Sequence, residues 1–191
     1  MPEPVSVLDG AVAGEGHFIR IADRGPVGQV TLRADLSDPA VAGAVREAAG
    51  VDLPGTWQAR MAGDGRGAVW FSPDELLILG AYAEAGDMAA RLSRALGGTH
   101  HLALDVSDAR VVLRLEGARV GEALMKGMPV DLRDAAFPPG SVRRSHLGGI
   151  AVALWRLDAD TWEIVAFRSF GRHLFDWLAA SSVAGSEVWP A

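Results

Sequence analysis

Asp105-Val-Ser-Asp108 is the most polar short cluster that follows an apolar stretch in this chain. Carboxylates at that spacing could hold a cation or orient a water, and Asp105 with Asp108 would then be the pair of an autonomous carboxylate enzyme. The same residue types also cap turns through side-chain-to-backbone hydrogen bonds, which needs no ligand. A second candidate is Arg168-Ser169, at the junction of an expected strand and an expected helix. A guanidinium beside free helix N–H groups suits an anion, either a ligand carboxylate or an acidic group on a partner protein. Alternatively, Ser169 caps the helix and Arg168 pairs on the surface. No catalytic or metal-ligating residue is assigned.

Other chemistries find little support. The five histidines are His17, His100, His101, His146 and His173, and no two share the spacing that places ligands on one helical face. His100 and His101 are adjacent, so in a strand they would point to opposite sides. The sequence has no cysteine, which excludes disulfides, thiolate metal sites and a cysteine nucleophile. Gly63-Asp-Gly-Arg-Gly67 precedes an expected hairpin rather than opening a helix, so its amides lack a helix dipole and the segment reads as a linker. A net charge of −6 with scattered basic residues argues against nucleic acid.

Elements that would position these residues follow from periodicity. Phe18 to Ile21 opens the ordered chain, and Val30 and Leu32 alternate with polar neighbours as in a half-buried strand. Asp38-Pro39 is an N-cap with proline at the first helical position; Val41, Ala44, Val45 and Ala48 follow at helical spacing, and Gly50 stops the helix. Strands at 68–71 and 75–79 flank the turn Ser72-Pro-Asp74, and Asp87 caps a second helix ending at Gly97-Gly98. The second half repeats the order: a strand at 111–115, a helix at 118–126, strands at 150–157 and 161–167, and a last helix begun by Ser169. On that helix Phe170, Leu174, Trp177 and Leu178 share one face.

Short words recur about 80 residues apart. Leu32-Arg33 matches Leu113-Arg114, Val51-Asp-Leu53 matches Val130-Asp-Leu132, and Trp70 matches Trp155. The expectation is an α+β fold of two similar strand-helix-strand-strand-helix halves related by pseudo-twofold symmetry. Residues 1–16 would be a flexible arm, 17–180 one duplicated domain with halves about 17–98 and 99–180, and 181–191 a C-terminal tail. Six tryptophans are many for 191 residues. Most suit a core, but Trp189 in the polar tail marks a candidate docking segment for a partner; the alternatives are a disordered tail and docking on its own domain. The N-terminus lacks the basic start and apolar stretch of a secretory signal, and no apolar run is long enough to span a membrane. A cytoplasmic protein is expected.

Several words in series resemble one family. They are Trp70-Phe-Ser-Pro-Asp-Glu-Leu-Leu77, Asp105-Val-Ser-Asp108, Lys126-Gly-Met-Pro-Val-Asp-Leu132, Phe137-Pro-Pro-Gly140, Arg168-Ser-Phe170 and Trp177-Leu178. In this order they resemble the gamma subunit of heterotetrameric sarcosine oxidase, which in turn looks like the folate-binding fold of the glycine-cleavage aminomethyltransferase. The resemblance implies alpha, beta and delta partner subunits in a complex that oxidises sarcosine to glycine, forms hydrogen peroxide and passes a one-carbon unit to tetrahydrofolate. It also implies that the flavins (FAD and FMN), NAD and tetrahydrofolate belong to those partners, and that this chain holds no cofactor.

The aminomethyltransferases carry a Gly-Gly-x-x-Asp-Asp word running into a strand. Here the matching stretch is Gly148-Gly-Ile-Ala-Val-Ala-Leu154, with Val152 and Ala153 where the aspartates would stand. Neither side chain can move a proton or hold a folate amine, and Ala151 to Leu154 reads as a fully buried strand. A related iron–sulfur maintenance family relies on a lysine-glycine-cysteine motif, which a chain without cysteine cannot supply. A non-catalytic interaction subunit is the leading expectation. The alternative is a module that binds folate or a small amino acid, through Arg168.

Overall fold

The computed structural model describes residues 4–189; the first three residues of the expected arm and the last two of the expected tail lie outside the described residues. The fold is α+β, and the chain forms two compact units. One unit is Val27–Ser107; the other takes the chain up to Pro26 together with everything from Asp108 onward.

The N-terminal residues contribute two strands, β1 (Val12–Ala13) and β2 (Arg20–Asp23). The chain then enters the first unit with β3 (Val27–Ala34) and the helix α1 (Pro39–Ala49). Asp38 caps α1 as its sequence requires: its carboxylate accepts from the Ala40 N–H at 2.8 Å, and Pro39 takes the first turn. Gly50 closes it in the left-handed conformation at φ 69°, which glycine adopts without a Cβ penalty. Strands β4 (Ala59–Met61), β5 (Gly67–Ser72) and β6 (Glu75–Ala81) follow, then α2 (Ala85–Ala95) and β7 (His101–Asp105). These strands form an antiparallel sheet in the order β4-β5-β6-β3-β7. Val30, Leu32, Leu76 and Ile78 are wholly buried in it, and Met88 of α2 lies over Gly80. Asp87 does not cap α2; a short 3₁₀ turn, Tyr82–Glu84, leads in, and Asp87 sits in the first helical turn.

The other unit continues with β8 (Arg110–Glu116), α3 (Val120–Met125), β9 (Val142–Leu147), β10 (Ile150–Arg156), β11 (Thr161–Phe167) and α4 (Gly171–Ser181). Its antiparallel sheet has the order β1-β2-β8-β11-β10-β9. Ile21, Leu113, Leu115, Leu154 and Ile164 share a buried cluster with Val120 and Leu124 of α3 and Leu174 and Leu178 of α4.

The two sheets repeat one topology. Strands β4, β5, β6, β3 and β7 correspond to β9, β10, β11, β8 and β2, with α1 and α3 in the same connection. Trp70 and Trp155 lie on the matched strands β5 and β10, and Leu32 and Leu113 on the matched strands β3 and β8. The division differs from the one read at 98/99. The strand beside β3 is β7, which follows α2, whereas the strand beside β8 is β2, supplied from the N-terminus. The N-terminal segment is also no free arm over its described part. Leu8 is buried in the core and β1 pairs with β2.

Gly148 and Gly149 form the two-residue turn between β9 and β10, both with positive φ (56° and 89°), which suits the twist of an antiparallel hairpin. Trp177 of α4 packs against Gly148. A Cβ on Gly148 would stand 2.7 Å from its ring, and one on Gly127 would stand 2.3 Å away. Gly127→Ala should therefore cost about 1–3 kcal/mol by overpacking, read as a lower urea midpoint at unchanged slope. Adding Trp177→Leu should recover part of that loss.

Candidate functional site

Arg168 and Ser169 lie in a 3₁₀ turn, Arg168–Phe170, between β11 and α4. Ser169 does not cap the helix: α4 starts at Gly171 with no side-chain cap. Arg168 donates a long hydrogen bond of 3.4 Å to the Val5 carbonyl and stands 3.9 Å from Asp108. Around it Val5, Val7, Phe167 and Phe170 are exposed, so the guanidinium rises from an apolar surface. Phe170 does not join Leu174, Trp177 and Leu178 on one helical face, since it lies in the 3₁₀ turn before α4 and is exposed.

Asp105 works locally. Its carboxylate accepts from the Ser107 N–H at 2.9 Å and the Ser107 hydroxyl at 2.6 Å, the turn-capping role. His100 precedes β7 and His101 begins it, so the two are not a pair within one strand. Both line a groove of about 680 Å³ with Arg33, Asp74 and Leu102. Among the described residues no group of three His, Asp or Glu is placed to hold a metal ion. The segment 63–67 is the loop joining β4 to β5, tied by Asp64 to the Arg66 N–H and side chain.

The stretch Ala151 to Leu154 is buried with one exception. Val152 and Ala153 are 5% and 4% exposed, but Ala151 is exposed. Val152 belongs to the core with Ile150 and Leu154, so packing occupies the position where the aminomethyltransferase word has a carboxylate.

Sequence reasoning missed three buried charges found among the described residues of this unit. Glu163 on β11 has no exposed surface. One oxygen accepts from Arg24 at 2.6 Å and Arg114 at 2.8 Å, and the other from the Trp155 indole at 3.1 Å. Arg156, 5% exposed, donates to Asp134 and to the carbonyls of Phe137, Asp158 and Ala159, and stacks on Trp162 at 4.9 Å. It thereby staples two loops at the rim of a cleft of about 640 Å³. Their alternation within polar-apolar strands gave no signal of burial.

Glu122 of α3 anchors the tail. It accepts from Arg119 at 2.7 Å and from the N–H groups of Val188 and Trp189, while Arg119 donates to the Trp189 carbonyl. Lys126 adds bonds of 2.6 Å to the carbonyls of Ser181 and Ser186. The tail thus docks on its own domain, and Trp189 stands at the cleft rim. Burial pushes the Glu122 carboxyl up, but the Arg119 guanidinium and the two tail amides outweigh it, and the net shift is downward. Beside the same cleft, hydrogen bonds from Arg133 hold Asp131 down at about 2.

The fold is that of the aminomethyltransferases. Glycine cleavage system aminomethyltransferase T from Bartonella henselae superposes with a TM-score of 0.57 over 82% of this chain and 44% of its own, at 16% identity. A chain of the heterotetrameric sarcosine oxidase from Corynebacterium sp. U-96 in complex with pyrrole 2-carboxylate superposes at 0.80, with 30% identity over 94% of this chain and 91% of that one. Residues 33–184 match the sarcosine oxidase gamma subunit family. The gamma subunits of Corynebacterium sp. strains U-96 and P-1 are 36% and 34% identical, over 76% and 96% of this chain and 71% and 89% of theirs. The chain belongs to the sarcosine oxidase gamma subunit family.

Two outcomes test the buried charges. Glu163→Gln should destabilise by about 3–5 kcal/mol, since it leaves two guanidinium groups without their counter-charge. Arg20→Ala, at the exposed pair with Glu116, should change stability by about 1 kcal/mol or less in the same urea titration. The tail latch should depend on pH with a fixed sign. Because docking depresses the Glu122 pKa, its contribution is fully present above the ordinary glutamate value of about 4.3. It is lost as the pH falls through the lowered value of the docked state. Exchange of the Val188 and Trp189 amides should accelerate over that acid window, and Glu122→Gln should accelerate it at neutral pH.

Proposed function

We propose that this chain is a structural and interaction subunit of a sarcosine oxidase complex and carries no active site of its own. The observation that supports this best is the use made of its charged groups. Glu163, Arg156, Glu122 and Asp105 each spend their hydrogen bonds on the chain's own strands, loops and tail. With Val152 in the core, the position that bears a carboxylate in the transferase word is filled by packing here.

The partners are the alpha, beta and delta subunits. Together they oxidise sarcosine to glycine, yield hydrogen peroxide and transfer the one-carbon unit to tetrahydrofolate, with FAD, FMN, NAD and tetrahydrofolate bound outside this chain. The assembly is cytoplasmic; no helix among the described residues is long and apolar enough to cross a membrane. Arg168 with Val5, Val7, Phe167 and Phe170 forms one contact with a partner, whose apolar surface carries a carboxylate for the guanidinium.

Co-expression with the alpha, beta and delta subunits should return this chain in a stoichiometric complex. A chain that elutes alone, with oxidase activity unchanged by its omission, sinks the proposal. Arg168→Ala and Phe170→Asp should weaken assembly at least tenfold while moving the melting temperature of the isolated chain little, as exposed positions do.

A further inference from the structure

The repeated topology leaves an unequal pair of sheet edges. Beside β8 stands β2, and β1 pairs along the outer side of β2 through Val12↔Ala22 and Ala13↔Ile21. Beside β3 stands the corresponding strand β7, and among the described residues no strand pairs along its outer side. An open strand edge of this kind presents unpaired backbone donors and acceptors, a ready template for another strand.

The hydrogen-bond phase shows which groups are presented. The Val106 N–H donates to the Gln29 carbonyl at 2.8 Å, which fixes the alternation of the β3–β7 ladder. Leu102 and Leu104, opposite Arg33 and Thr31, are then the residues bonded to β3, and the N–H and C=O groups of His101, Ala103 and Asp105 point to the open side. Leu102 and Leu104 lie on one face of β7, 47% and 52% exposed. Natural edges are usually blunted with lysine, proline or a bulge, and β7 carries two leucines instead. At its start the edge meets the groove of His100, His101, Arg33 and Asp74, with space for a side chain.

We propose that β7 receives an extended segment of a partner subunit, which adds a strand to this sheet as β1 does to the other. The segment pairs its backbone with His101, Ala103 and Asp105. Alternate apolar residues cover Leu102 and Leu104, the pattern of recognition by strand addition. The internal repeat argues for a strand as the occupant, since the equivalent edge in the same fold is completed by one. A relative of this chain stands in a heterotetramer, which argues for a different subunit rather than a second copy. The inference rests on the assembly proposed above.

The test uses the full chain co-expressed with its own alpha, beta and delta subunits. Ala103→Pro removes an outward N–H, and Leu102→Lys with Leu104→Lys charges the exposed face. Each should lower recovery in the complex at least tenfold, while circular dichroism and melting of the isolated chain stay close to wild type. In the wild type, the amides of His101, Ala103 and Asp105 should exchange fast in the isolated chain and become protected in the complex. Wild-type recovery of the β7 variants, or unchanged exchange on assembly, overturns the strand addition and leaves the assembly standing. Failure of the wild type to enter the complex overturns both. An isolated chain that sediments as a dimer, broken by the leucine substitutions, assigns the edge to a second copy and overturns the partner strand.

Discussion

Glu163 is the point on which the unit formed by both ends of the chain depends. It lies on β11 between β8 and β10, without any exposure, and its charge is matched by groups from three directions. Arg114 comes from β8 and Trp155 from β10, so two bonds link neighbouring strands. Arg24 comes from the residues just after β2 and carries the third. A carboxylate this deep is costly unless it is paired and fully bonded. Without Arg24 the carboxylate keeps one counter-charge in place of two, so the pairing constrains where β2 must end. That constraint holds the N-terminal strand beside β8, with the Arg24 N–H also bonded to the Val112 carbonyl.

The same logic separates polar groups that build from polar groups that react. A catalytic acid or base needs a lone pair or a proton aimed at open space. Arg156 has four donor contacts to its own loops and a tryptophan face beneath it, so its cleft is framed by a group already committed. Glu122 and Lys126 are committed to the tail in the same way. Exposed apolar side chains stand beside Arg168, at Val5, Phe167 and Phe170, and on β7, at Leu102 and Leu104. Surfaces that combine exposed apolar side chains with a cation bind proteins more readily than small ligands.

Local features were legible in the sequence because local physics decides them. Asp38-Pro39 and Gly50 bracket α1 through hydrogen bonds within one turn, and Ser72-Pro-Asp74 needs only its own backbone preferences. The duplication was legible for the same reason, since matched words such as Trp70 and Trp155 sit on matched strands. The strand exchange was not. Whether β8 is flanked by the strand after α4 or by β2 depends on contacts about 90 residues apart, to which periodicity is blind. Glu163 was hidden by its neighbours: between Trp162 and Ile164 it reads as the solvent side of an alternating strand. That face of the sheet is in fact also buried, as Val112, Val165 and Trp155 show. Arg168 was placed correctly at its junction, but the 3₁₀ turn that exposes Phe170 has no clear sequence signature.

Strand exchange between repeats has a consequence for how the chain folds. The unit Val27–Ser107 is continuous, so β3 through β7 can pair as they are made. The other sheet needs β2 to meet β8 across the whole intervening unit, and the loop entropy of that closure grows only with the logarithm of its length. An intervening unit that folds first shortens the effective loop, because a compact domain brings its ends nearer than an unfolded chain does. Pairing of β2 with β8 and capture of Arg24 by Glu163 are then late steps, rewarded together. In that order, the buried carboxylate is left partly unmatched until the N-terminal strand arrives. Where the intervening unit folds first, docking of the N-terminal strand is the event that completes the other unit.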